Sequence, residues 1–450
     1  MTEILKDKRF FIRLFTIALP IAFQNLITSS LNMIDTVMIG KLGGVEIAAV
    51  GAANRIFFLM SLILFGMSSG ASIFTSQYWG KEDVKNIRRI VGLNLLAGLI
   101  ASFIFSLVAL FFPEQILRIF SEDLAVIQSG SAYLRVVAIS YIFTAITYAY
   151  VFTLRSTGEV RLQVIISIIS ICINAFFNWV LIFGTLGFPE MGVKGAALAT
   201  VIARIVECIV LVIIVYRRNY AVAARWKEMT DITWEFTKNF FQTISTVVLN
   251  EFTWAIGVTM YSVIYGRMGT DTLAAMNIAA TVEQVAMVLF MGMGSAAAVM
   301  LGNEIGASEY ERTYVYAKRL LIIGPIFALF IGGIVIILSP YILSVFNIDA
   351  VVNDYAQKSL IVFSLYMWVK VFNLINVVGV LRSGGDSRFT FLLDMMGVWF
   401  IAVPLGFLTG LVLEWPIYLV YASILFEEVV KMILGMRRVK SKKWLKTVVG

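Results

Sequence analysis

Leu154-Arg155-Ser156-Thr157-Gly158-Glu159 returns 227 residues later as Leu381-Arg382-Ser383-Gly384-Gly385-Asp386, and Arg161 returns in step as Arg388. Earlier in the chain the offset is 226. Gly40-Lys41-Leu42-Gly43 matches Gly266-Arg267-Met268-Gly269, Ala48-Ala49 matches Ala274-Ala275, Gly66-Met67 matches Gly292-Met293, and Gly80 matches Gly306. A register kept to within one residue from position 40 to position 161 marks two copies of one unit. In a very apolar chain, such repeats build two lobes around a central substrate path and point to a transporter.

The chain has 450 residues, of which 60% are hydrophobic and 14% charged. Soluble domains carry roughly 45–50% apolar and about 25% charged residues. There is too little polar surface here to face water on all sides, so the sequence reads as a multi-span membrane protein. At about 20 apolar residues per span, twelve are expected, near 14–36, 48–76, 90–112, 131–153, 162–184, 195–216, 238–264, 274–301, 317–340, 359–381, 389–413 and 416–436. The stretch after Arg13 runs too long for a secretory signal peptide and is read as the first span. Cys172 and Cys208 sit in apolar segments and imply no disulfide framework. Histidine is absent, which removes the commonest metal ligand and proton shuttle and leaves proton handling to carboxylates.

The basic residues fall on alternate loops. One side holds Lys6, Lys8, Arg9, Lys81, Lys85, Arg88, Arg89, Arg155, Arg161, Arg217, Arg218, Arg312, Lys318, Arg382, Arg388 and the tail. The other holds little beyond Lys41, Arg118, Lys194, Arg267 and Lys358. The positive-inside rule then places both termini and the central linker in the cytoplasm of a cell-membrane protein. These charges are topological signals, and no nucleic-acid partner is expected. The polar segment 217–235 separates an N-lobe, 1–216, from a C-lobe, 236–436, with a basic cytoplasmic tail over 437–450. Six spans per lobe is an even number, so both lobes enter the membrane with the same orientation. The expected fold is therefore an all-α membrane protein, with twelve transmembrane helices in two six-helix bundles. A pseudo-two-fold axis along the membrane normal should relate them. Val84, Ile87 and Ile90-Val91, interleaved with Lys85, Arg88 and Arg89, suggest an amphipathic cytoplasmic helix after Gly80.

Asn32-x-x-Asp35-Thr36 leads into Gly40-x-Leu42-Gly43, the Leu-Arg-Ser-x-Gly-acid turn follows spans four and ten, and Asn174-x-x-x-Asn178 precedes Leu181-Ile182-Phe183-Gly184. In this order and spacing the chain resembles the multidrug and toxic compound extrusion (MATE) family along essentially its whole length. The resemblance implies efflux of organic cations driven by inward sodium ions or protons, through a V-shaped pair of six-helix bundles.

An ionisable group at mid-membrane costs about 2.5–3.5 kcal/mol on insertion scales, so each one needs a reason. Asp35, Asn174, Asn178 and Thr200 offer a carboxylate, two amide oxygens and a hydroxyl, hard donors suited to a small cation. The resemblance places this set inside the N-lobe as the coupling-ion site; the alternative is interhelical hydrogen bonding among Asn and Thr. In the C-lobe, Glu251 stands where the family often has a membrane carboxylate. One branch pairs it with an aspartate eleven residues before the Leu-Arg-Ser arginine. That position is Val371 here, flanked by Lys370 and followed by Asn373. A Glu251–Lys370 ion pair, mobile as a switch or fixed as structure, is the expected replacement.

Arg204 and Glu207, three apart, and Glu427 and Lys431, four apart, fit neutralising pairs within one helix. Glu283 and Asp394 lack evident partners. Glu283, Met287 and Met291 are candidates for the cavity lining, where methionine and aromatic rings suit varied flat cations. Gly66, Gly70 and Gly292 are read as close helix contacts, and Pro20 and Pro404 as possible kinks.

The reading is a monomeric, cation-coupled exporter that is not an enzyme and uses no cofactor beyond its coupling ion, sodium or proton. A dedicated metabolite exporter stays open. A lipid-linked precursor flippase of the same superfamily would need more basic residues at depth than Lys370 and Arg204. An intramembrane enzyme would need a metal or nucleophile motif that is absent. A channel fits poorly with duplicated lobes and no filter-like sequence.

Overall fold

A computed structural model of the chain describes residues 7–346 and 348–449, with only the backbone over 30–34. Among the described residues there is no strand. The long helices are α1 (Lys8–Gly40), α2 (Gly44–Gly80) and α3 (Val84–Phe111). After a short α4 (Pro113–Arg118) come α5 (Leu124–Val137), α6 (Ser140–Ser156), α7 (Val160–Phe183) and α8 (Gly192–Arg217). The linker holds α9 (Trp226–Thr230). The second half runs through α10 (Trp234–Met268), α11 (Thr270–Gly306), α12 (Tyr310–Leu343) and α13 (Ala350–Leu374). It ends with α14 (Ser387–Met395), the short α15 (Val403–Phe407) and α16 (Ile417–Lys440).

Among the described residues, ten helical stretches are long and apolar enough to cross a membrane, and α5 with α6, bent by 50°, makes an eleventh. The twelfth element, α16, has the length but carries Glu427, Glu428 and Lys431 within its apolar run. The expected span over 131–153 is thus a broken one. Ser140 donates to the Val137 carbonyl at 2.6 Å and Ser106 to the Ala138 carbonyl at 2.8 Å, so hydroxyls satisfy the backbone where the helix turns.

The amphipathic segment after Gly80 is not a separate helix. Three residues after Gly80, the Asp83 carboxylate accepts from the Asn86 backbone N–H at 3.0 Å and starts α3, so Val84, Ile87 and Ile90 form its first turns.

The repeat is visible in the backbone itself. Left-handed φ values recur in register at Gly43 (146°) and Gly269 (138°), at Glu82 (60°) and Ser308 (63°), and at Gly158 (87°) and Gly385 (74°). The last pair closes the duplicated Leu-Arg-Ser turn, where a residue without Cβ is needed. The copies differ after α13. Residues Ile375–Leu381, Met396–Ala402 and Leu408–Val412 form π-helical turns, whereas α6 and α7 are regular. A π-turn absorbs one extra residue, the size of the shift from offset 226 to 227.

The chain divides into two compact units, one of Met1–Ala22 with Leu249–Gly450 and one of Phe23–Val248. The divisions fall inside α1 and α10, not in the 217–235 linker. The reason lies in small residues. A Cβ on Gly66 would stand 2.9 Å from Val248 Cα, and one on Gly292 would stand 2.4 Å from the Ala18 carbonyl oxygen and 3.1 Å from Ala22 N. The expected close helix contacts are therefore made, each between the second helix of one copy and the first half of the other copy's first helix. The basic tail packs back through Trp444, which is fully buried with its indole N–H donating to the Val439 carbonyl at 3.3 Å, while Arg437, Lys440, Lys442, Lys443 and Lys446 stay exposed.

Candidate functional site

In the unit Phe23–Val248, α1 carries Asp35, α7 carries Asn174 and Asn178 one turn apart, and α8 carries Thr200. The Asn178 amide donates to Asp35 Oδ1 at 2.6 Å and to Asn174 Oδ1 at 3.2 Å. Asn174 Nδ2 lies 3.5 Å from Thr200 Oγ1, and that hydroxyl donates to the Ala196 carbonyl at 3.1 Å. All four expected residues thus form one chain of contacts, with Asn174 and Asn178 buried and Asp35 half-buried. Asn32, part of the same motif, lies where side chains are not described. Arg204 is the nearby positive charge acting on Asp35. It is neutralised by Glu207 at 2.7 Å, the pair its spacing foretold, and Ser170 donates to the same carboxylate at 3.3 Å. The arrangement offers one anionic oxygen pair, two amides and a hydroxyl on three helices. A small cation needs only an amide rotation to gain further oxygens.

The other unit corrects the sequence expectation. Glu251 does not pair with Lys370. Glu251 Oε1 lies 2.9 Å from Arg382 Nη1, while Lys370 Nζ donates to Glu283 Oε2 at 3.0 Å. Glu283, which had no evident partner, also accepts from the Tyr421 hydroxyl. The physical reason is depth. Arg382 sits at the end of a π-turn and is 4% exposed, buried among the helices rather than in an exposed loop, so it needs the nearest acid. Asn373 donates to the Glu428 carboxylate at 2.7 Å. Asp394 accepts from Asn250 at 3.0 Å and faces Lys431 at 3.6 Å. The expected Glu427–Lys431 pair is present at 3.5 Å, but Glu428 joins it at the same distance.

Sequence reasoning missed Glu428, Tyr261, Tyr421, the half-buried position of Arg155 and the burial of Arg382. The signal for Glu428 was its three-residue spacing to Lys431. Glu283, Met287 and Met291 fall at four-residue steps on one face of α11, half-buried for the first two and exposed for Met291. Met60 and Met293 are core residues.

Outside the spans, Asp7 accepts from Arg319 at 2.6 Å, which holds its carboxyl below the ordinary aspartate value. In the linker, Glu228 accepts from the Arg225 backbone N–H at 2.7 Å and from Arg88 at 2.5 Å, and both contacts lower its carboxyl. Asp231 is lowered in the same way by Arg89 and Lys85.

The MatE family model matches residues 20–180 and 246–408, once in each copy. "Probable multidrug resistance protein NorM" of Thermotoga maritima is 23% identical over 447 residues, covering 97% of this chain and 93% of that protein. "Probable multidrug resistance protein YoeA" of Bacillus subtilis is 26% identical over 402 residues, covering 86% of this chain and 84% of that one. Among solved structures, a MATE crystal structure in complex with MaL6 matches with a TM-score of 0.86 at 16% identity over 96% of each chain. That likeness carries the twelve-helix fold.

Proposed function

The chain belongs to the MatE family of multi-pass membrane efflux transporters, and we propose from this that it exports organic cations by alternating access in exchange for inward sodium ions or protons. The observation that carries the reading is the contact chain Asp35–Asn178–Asn174–Thr200. Asp35 is its only acid, so it can neutralise one positive guest at a time. A coupling cation arriving on Asp35 breaks the Asn178 contact and turns that amide, which shifts α1 against α7 and releases the exported cation. Loss of the coupling ion to the other side resets the site. With one cation exchanged for one, no net charge crosses the membrane, so the work comes from the coupling-ion gradient, about 1.4 kcal/mol per tenfold, which supports a gradient of about the same ratio for a monovalent cargo.

The basic residues that a lipid-pyrophosphate flippase would aim at its substrate are engaged otherwise: Arg204 by Glu207, Lys370 by Glu283, Arg382 by Glu251 and Lys431 by three acids. That favours cationic cargo. The reading includes a monomer in the cytoplasmic membrane with both termini inside. It is tested by ethidium movement in inside-out vesicles with sodium and proton gradients imposed separately. One of the two gradients drives transport in the parent, and Asp35→Asn is folded and inactive. Transport at the parental rate by Asp35→Asn, or transport indifferent to both gradients, sinks the proposal.

A further inference from the structure

Four ionisable side chains meet where α14 packs on α16, away from the Asp35 cluster. Lys431 Nζ stands 3.6 Å from Asp394 Oδ1, 3.5 Å from Glu427 Oε2 and 3.5 Å from Glu428 Oε2. All four side chains are at most 13% exposed. The remaining bases nearby are already matched, Lys370 with Glu283 and Arg382 with Glu251. Three carboxylates therefore share one ammonium, and the fully ionised cluster carries two uncompensated negative charges in a buried site. Such burial is costly without a partner.

The same cluster is short of hydrogens. Asn250 donates to Asp394, Asn373 to Glu428 and Tyr261 to Glu427, which uses the polar donors that α10 and α13 bring to it. Asn250 Oδ1 and Asn373 Oδ1 are buried acceptors with no hydrogen bond, and Glu427 Oε2 makes none either, facing the Lys431 ammonium only at 3.5 Å. The backbone closes over them at Gly397, where a Cβ would stand 2.8 Å from Glu427 Oε2 and 2.9 Å from Lys431 Cδ.

We propose that Asp394, Glu427 and Glu428, gathered around Lys431, form a proton-binding site distinct from Asp35. A proton adds to a carboxylate oxygen, breaks no bond, removes one negative charge and turns an acceptor into a donor. It thus relieves both shortages at once. A metal cation fits less well, because it would lie beside the Lys431 ammonium. Among the described residues, moreover, no group of three acids has metal-holding geometry. The charged and titratable groups facing the site are Lys431, Tyr421, Tyr261, Asp394 and the Lys370–Glu283 pair, so their protonation states set its affinity. The site does not depend on the Asp35 reading. It gives this unit its own response to pH.

The test is an infrared titration of the purified full-length protein in the Asp35→Asn background, where Asp35 cannot contribute. A protonated-carboxyl band grows on acidification between about pH 9 and about pH 5 and is removed or displaced by Glu427→Gln, Glu428→Gln or Asp394→Asn. Lys431→Met, which deepens the negative charge, moves the transition up by at least about one pH unit. Absence of the band in Asp35→Asn overturns the proposal. So does a band indifferent to every one of the acid substitutions that yields folded protein, since it then belongs to Glu251 or Glu283. Transport by Asp35→Asn, the failure of the coupling proposal, is a separate readout.

Discussion

Arg382 reaches Glu251 at 2.9 Å, and Arg155, its counterpart in the first copy, donates to Gln24 Oε1 at 3.1 Å. Each duplicated arginine thus meets the first helix of its own copy, at an acid in one case and an amide in the other. Arg155 completes its environment with Gln163 Oε1 at 2.7 Å and the Phe152 ring. The role at this position is to hold a guanidinium among the helices, half-buried at Arg155 and buried at Arg382, and it accepts either partner.

It follows that Glu251→Gln folds, because glutamine already does this work at position 24, whereas Glu251→Leu strands the Arg382 charge. The loss for Glu251→Leu is about 3–5 kcal/mol. Thermal unfolding of the purified variants in one detergent ranks them; equal melting of the two would contradict the assignment.

The repaired pairing also predicts which charges speak to one another. In a double-mutant cycle on stability, Glu283→Gln and Lys370→Met are coupled by about 0.5–3 kcal/mol, while Glu251→Gln and Lys370→Met add to within about 0.5 kcal/mol. The reverse pattern would restore the Glu251–Lys370 pair.

Within the first cluster, contact length orders the expected effects. Asn178→Ala removes both the 2.6 Å and the 3.2 Å contacts and lowers coupled efflux at least about tenfold, a loss of about 1.4 kcal/mol. Thr200→Val loses the 3.5 Å contact and a bond to the Ala196 carbonyl within its own helix, touches neither Asp35 nor Asn178, and keeps most of the rate. Initial rates of ethidium efflux decide the order.

The linker responds to acid in a defined direction. The carboxyls of Glu228 and Asp231 are lowered in the folded state, so their stabilisation is full above the unfolded values and is lost as pH falls through the folded ones. Docking of α9 on α3 is therefore unchanged from pH 7 to about pH 5 and is released below about pH 4. A spin label at Lys227, in a background lacking Cys172 and Cys208, reads this as a rise in mobility. Release near neutrality would assign the docking to other groups.

Close packing gives a last ranking. Gly292→Ala drives a methyl into the Ala18 carbonyl at 2.4 Å and is more damaging than Gly66→Ala, whose nearest atom is 2.9 Å away. Both cost about 1–3 kcal/mol, seen as lower melting temperature.

The sequence carried the repeat, the span positions and the Asp35 cluster because each depends on periodicity or on rare polar residues in apolar helices. Asn174 and Asn178 declare their common face by spacing alone. Partner choice in the second half was not legible. Depth decides it, and the π-turns that set the depth and direction of Arg382 and Asp394 leave no local mark beyond a one-residue slip in the repeat. The division of the compact units inside α1 and α10 was not legible either, since the exchange of Ala18 and Val248 between copies is written in glycines that any helix pair could use.

That exchange bears on biogenesis. The unit Phe23–Val248 is continuous, so it is complete once residue 248 has left the ribosome and entered the bilayer. Its companion joins residues made before that stretch to residues made after it. The opening turns of α1 must therefore wait, without their neighbours, until α11 and α12 have been made.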